Sequence, residues 1–128
     1  MHEVSVNGNI GQIRIADEVL AIISGTAALE VSGVMSGSAP AHQGEMSARF
    51  VRRNFARGVK ITPLEDGVKV DITIMVKFGH KIHQVSEEVQ KRITTALETM
   101  VGMTVKEVNV NVAGLRFEKT PQRPPVRR

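Results

Sequence analysis

The 128-residue chain contains no cysteine, no tryptophan and no tyrosine, and four phenylalanines are its whole aromatic content. The missing cysteines exclude disulfides, thiolate metal sites and cysteine nucleophiles together. Long apolar runs are also missing. The richest stretch, Val19 to Leu29, is about 11 residues and is broken by Ser24, Gly25 and Thr26; a bilayer-spanning helix needs roughly 20. The first residues, Met1 to Gly8, carry neither a positive n-region nor an apolar h-region, so no targeting signal is read and a cytoplasmic protein is the default. What remains is ordinary for a globular protein. A hydrophobic fraction of 41% over this length suits one domain with a core of its own.

Charge is unevenly spread. The net value is +4, yet Met46 to Lys60 alone holds Arg49, Arg52, Arg53, Arg57 and Lys60 with no acid. Arg116 to Arg128 adds Arg116, Lys119, Arg123, Arg127 and Arg128 against Glu118, which leaves the rest of the chain at −5. Two basic segments on a mildly acidic body suit an anionic partner, or are solvated surface.

The strongest pattern runs from Gly67 to Phe117. Val68, Val70, Ile72, Ile74, Val76 and Phe78 alternate with Lys69, Asp71, Thr73, Met75 and Lys77. Period two over that length predicts a strand with one face buried. Ile82, Val85, Val89, Ile93, Ala96, Leu97 and Met100 then recur at three- and four-residue spacing, predicting an amphipathic helix over 82–101 that stops at Gly102. Alternation resumes at Val105, Val108, Val110 and Val112 and changes phase before Leu115 and Phe117. The slip predicts a β-bulge at Ala113-Gly114. Upstream, a hairpin is expected across Asn7-Gly8, with strands at 4–6 and 13–15, followed by a buried helix from Asp17 to Val31 stopped by Gly33. Asp17 and Glu18 favour its positive N-terminal end. Val59 and Ile61 predict a brief strand that Pro63 interrupts, with Asp66-Gly67 turning into the long strand.

Residues 36–57 read as a flexible basic insertion. A Gly/Ser loop leads into a short helix, Glu45 to Arg57, with Met46, Phe50 and Phe55 on one side. Residues 118–128, with three prolines, read as a disordered basic tail. Residues 1–117 then make one α/β domain of the α+β type. It is expected to be a two-layer sandwich, a mixed sheet of about four strands with two main helices on one face. The other sheet face is left to Lys69, Asp71, Thr73, Lys77, Asn109 and Asn111.

Several motifs have a functional and a plainer reading. His80 and His83 have the i, i+3 spacing of a two-nitrogen metal ligand pair, with Glu87 the nearest third group. A closed site needs four ligands, so a surface turn is the favoured reading and no metal is expected. The Gly/Ser loop lacks the Lys-Ser/Thr ending of a P-loop, so no nucleotide cofactor is expected either. Ser24, Thr26 and Ser86 have no histidine–carboxylate arrangement in sequence, and Ser24 and Thr26 fall mid-helix, where bonding to their own backbone is the usual role. An enzyme is not expected. The best candidate residues for binding an anion or a partner are Arg49, Arg52, Arg53, Arg57, Arg123, Arg127 and Arg128. Basic side chains against an anionic membrane contribute about 1 kcal/mol each. RNA is the competing partner. The polar sheet face carries no aromatic for base stacking and Phe78 falls in the apolar phase, which disfavours it.

The order of these segments has a likeness. Ile10 to Leu20, Ala27 to Val34 and Arg57 to Ile61, followed by Val68 to Gly79, Ile82 to Met100 and Gly102 to Val112, resemble the alkaline shock / general stress family of bacterial envelope stress proteins. The stretch from Gly102 to Val112, closed by Gly114, is the most telling. Three features depart from that family's pattern: Ala16-Asp17 where a Ser-Pro helix start is common, the basic linker and the basic tail. The resemblance implies a non-enzymatic cytoplasmic protein that self-associates. It also implies a membrane-anchored protein partner, with peripheral contact at the inner membrane face, in an envelope or alkaline stress response.

Overall fold

The computed structural model describes residues 3–35 and 58–117. The expected basic insertion, its helix and the basic tail lie outside the described residues.

The 11-residue strand β5 (Gly67–Lys77) organises the molecule. Its even residues Val68, Val70, Ile72, Ile74 and Val76 are completely buried, while its odd residues stay partly or fully exposed. β5 forms an antiparallel hairpin with β4 (Val59–Leu64) and, at its far end, pairs antiparallel with the two-residue β3 (Val34–Met35). On its other side runs β6 (Val105–Arg116), parallel to β5. The result is the expected mixed sheet of four strands. The parallel pair needs a crossover, and the helix α2 (Ile82–Ala96) supplies it.

The helices α1 (Asp17–Leu29) and α2 cover the even face of β5. Leu20, Ala21, Ser24, Gly25, Ala27 and Ala28 face inward from α1; Val85, Val89 and Ile93 do so from α2. The small residues of α1 permit close approach. α2 does not end as a plain α-helix. Leu97–Val101 form a π-helical turn that keeps Leu97 fully buried, and Gly102 closes it at φ +80° with its N–H donating to the Leu97 carbonyl. A left-handed residue there suits glycine.

The bulge falls where the phase slip put it. Ile74 pairs with Val112 and Met75 with Gly114, so Ala113 is the extra residue; a second shift, at Lys106, falls at the change of apolar phase between Val105 and Val108, from which no bulge was expected. Four expectations are corrected. The N-terminal hairpin, β1 (Glu3–Gly8) and β2 (Gly11–Ala16), turns at Asn9-Ile10 rather than Asn7-Gly8. That register sets Val4 against Ile15 and Val6 against Ile13, pairing apolar residues that the earlier turn would have separated. β4 runs through Pro63 instead of stopping there. Pro63 opposes Val68 with its nitrogen directed away from β5, so no ladder bond is lost on this edge. Helix α1 ends at Leu29, before Gly33, through bonds from Glu30 N–H to the Ala27 carbonyl and from Val31 N–H to the Ala28 carbonyl. Finally, Phe78 keeps the strand's phase but is not core: it is 59% exposed.

Candidate interaction surface

The odd residues of β5 and their neighbours build an open, polar sheet face. In register order Lys69 lies between Thr62 and Glu107, Asp71 between Lys60 and Asn109, and Thr73 beside Asn111. Asn109 ties the middle of this face together. Its amide Nδ2 donates to Asp71 Oδ1 at 2.9 Å and to Glu107 Oε2 at 3.0 Å. Two carboxylates are thus held on one amide, flanked by Lys60 and Lys69 on the neighbouring strands. Such a row fixes donors and acceptors in space at small entropic cost, since the strands already hold the backbone. At the far end the face becomes basic, with Lys77 paired to Arg116.

Just past that end the helix-side face runs out of helical cover. Phe78 and Phe117 stack there with ring centroids 4.5 Å apart, both mostly exposed, beside Leu115 at 43% exposure. Sequence reasoning missed this feature because alternation reports the face a residue takes, not where the covering helix begins.

The other sequence candidates divide between described and undescribed residues. Arg49, Arg52, Arg53, Arg57, Arg123, Arg127 and Arg128 all lie outside the described residues. His83 Nε2 lies 3.2 Å from Glu87 Oε2 on the α2 surface, whereas the His80 ring lies against Gly33. Among the described residues no three His, Asp or Glu side chains are grouped to hold a metal. Ser24 departs from expectation too: its Oγ is fully buried and makes no hydrogen bond among the described residues, to its own helix included.

Fold and surface define a small two-layer α+β protein with a polar, hydrogen-bonded sheet face open to contact. The profile of the alkaline shock protein 23 family, of cell envelope-related function, matches residues 5–117, and the chain belongs to that family. This is the family that the segments from Ile10 to Phe117 resemble. Among relatives, the chain is 33% identical to the uncharacterized protein YqhY of Bacillus subtilis (strain 168), over 89% of this chain and 84% of that protein. It is similar to two uncharacterized proteins of Streptococcus pyogenes serotype M6: Spy1535, 35% identical over 88% of this chain and 85% of that one, and Spy1614, 32% identical over 88% and 94%. No solved structure gives a significant match. Among the described residues, no helix is long and apolar enough to cross a membrane.

Proposed function

We propose that this protein is a non-enzymatic, cytoplasmic component of an envelope or alkaline stress response, working by self-association and by binding a membrane-anchored protein partner at the inner membrane face. The observation that carries the reading is the open sheet face. There Asn109 holds Asp71 and Glu107 in a fixed polar row on the partly exposed side of the sheet. A rigid row of this kind suits recognition of another folded surface, where pre-ordered groups lose little freedom on binding. The family's envelope-related role gives the setting. Arginines of the two basic segments would supply attraction to an acidic partner or anionic headgroups. Sedimentation velocity on the full chain tests the self-association: assembly at micromolar concentration is expected, and a strictly monomeric species contradicts it.

One observation favours a second reading, as an RNA-binding domain. The exposed Phe78–Phe117 stack offers aromatic rings at the end of the sheet whose other face carries Lys77 and Arg116, and exposed rings near cations suit unpaired bases. Titration with single-stranded RNA at moderate salt separates the two. Saturable sub-micromolar binding that is lost in Phe117→Ala would promote the second reading; weak binding that fades with salt leaves the first in place.

A further inference from the structure

We propose that the outer edge of β6 pairs with β6 of a second copy, antiparallel and centred on Val110, joining two four-stranded sheets into one. This rests on the self-association reading above and names the surface responsible.

The direction of the backbone groups along β6 follows from its ladder. Even residues of β5 turn their N–H groups toward β6: Val68 donates to the Thr104 carbonyl and Phe78 to the Arg116 carbonyl. Odd residues turn the other way, Thr73 to Gly58 and Lys77 to Gly33. Val70, Ile72 and Ile74 stand in register with Val108, Val110 and Val112. A parallel ladder with that phase uses the backbone groups of Glu107, Asn109 and Asn111, so those of Val108, Val110 and Val112 point outward. The Val108 carbonyl bears this out, accepting a bond from Gln90 Nε2 of α2 at 3.0 Å. Beyond it, no strand among the described residues takes the N–H and C=O groups of Val110 and Val112. An unpaired row of this kind is a template for another strand. The opposite edge of the sheet is less suited, being split between short β3 and β4 and carrying Pro63.

The sequence of the edge identifies the occupant. Val108-Asn109-Val110-Asn111-Val112 reads the same in both directions. A two-fold axis at Val110 therefore sets Val110 against itself, Val108 against Val112 and Asn109 against Asn111. This is the self-complementarity that an isologous contact requires. Burial supports it. Val110 and Val112 are only half-buried, although their β5 neighbours Ile72 and Ile74 are completely buried, and a second valine row would cover them. On the open face asparagine would meet asparagine, and Glu107 would meet Ala113, so no like charges oppose. Gln90 does not block the pairing, because a carbonyl oxygen has a second lone pair.

Val110→Pro removes an outward N–H and no ladder bond to β5, a backbone change that an edge strand tolerates. Val110→Lys sets two like charges face to face on the axis. Both should weaken dimerisation at least tenfold in sedimentation while leaving the far-ultraviolet circular dichroism unchanged; Val110→Lys carries the test if the proline variant misfolds. Because the chain has no cysteine, the double variant Asn109→Cys/Asn111→Cys offers a clean trap. In the proposed register these form a non-hydrogen-bonded pair with Cα atoms about 4.5 Å apart, within disulfide reach. Mild oxidation should give a covalent dimer joining position 109 of one copy to position 111 of the other, read by peptide mass spectrometry. An assembly that survives Val110→Lys and does not bridge overturns the edge pairing while leaving self-association standing. Growth beyond the dimer through β6 overturns the two-fold register. A monomeric wild type overturns both this proposal and the reading beneath it.

Discussion

Gly33 occupies a tight turn between α1 and β3 at φ +96°, with its carbonyl accepting from Lys77 N–H at 2.8 Å. A Cβ built there would lie 2.8 Å from His80 Nδ1 and 3.1 Å from a Val85 methyl. Both the backbone and the space demand glycine, so Gly33→Ala should destabilise the fold by about 1–3 kcal/mol in urea unfolding; an unchanged midpoint would refute that account. Ser24 predicts the opposite sign. Its hydroxyl is buried without a partner among the described residues, and an unpaired buried hydroxyl costs about 1–3 kcal/mol. Ser24→Ala should therefore raise the melting temperature, and a fall would mean that the hydroxyl does have a bond. Neither residue announced its role in the sequence. Gly33 read as a helix stop and Ser24 as a self-bonded helical serine, because both roles depend on neighbours brought from elsewhere in the chain.

At the scale of elements, a hydrophobic residue's place along β5 matters more than its phase. Ile72 and Phe78 share the apolar alternation, yet Ile72 is completely buried and Phe78 is mostly exposed. Ile72→Ala should cost about 2–5 kcal/mol, as for a large-to-small change in a tight core. Phe78→Ala should cost no more than the stack with Phe117, about 0.5–1.5 kcal/mol. Comparable losses for the two in chemical denaturation would contradict this assignment. The contrast shows which features were legible. Periodicity located β5, α2 and β6, and the phase slip located the Ala113 bulge, since each is written in consecutive residues. The hairpin turn and the passage of β4 through Pro63 were not legible, because cross-strand pairing decided the first and a Pro63 nitrogen directed away from β5 permitted the second. The π-helical turn, whose bulge keeps Leu97 in the core, likewise has no local signature.

For the whole molecule, the layer order was readable: two apolar-striped helices and one-faced strands have few ways to hide their greasy sides. The polar sheet face was readable with it, from the odd positions of β5. Its organisation was not, because the bonds from Asn109 to Asp71 and Glu107 need the parallel register of β5 and β6, which no single segment encodes. The aromatic stack was hidden for a similar reason. Phe78 and Phe117 lie far apart in the chain and meet only because the two strands run side by side. One side of the sheet is closed over a core; the polar side and, among the described residues, the outer edge of β6 are the surfaces that the proposed self-association would use.

Amide hydrogen exchange along β6, followed at dilute and at high protein concentration, tests that account most directly. The account predicts that the outward N–H groups of Val110 and Val112 exchange quickly when dilute and become protected as concentration rises, while the inward N–H groups of Asn109 and Asn111 are protected throughout. Exchange at Val110 and Val112 that does not change with concentration in an associating sample would contradict it.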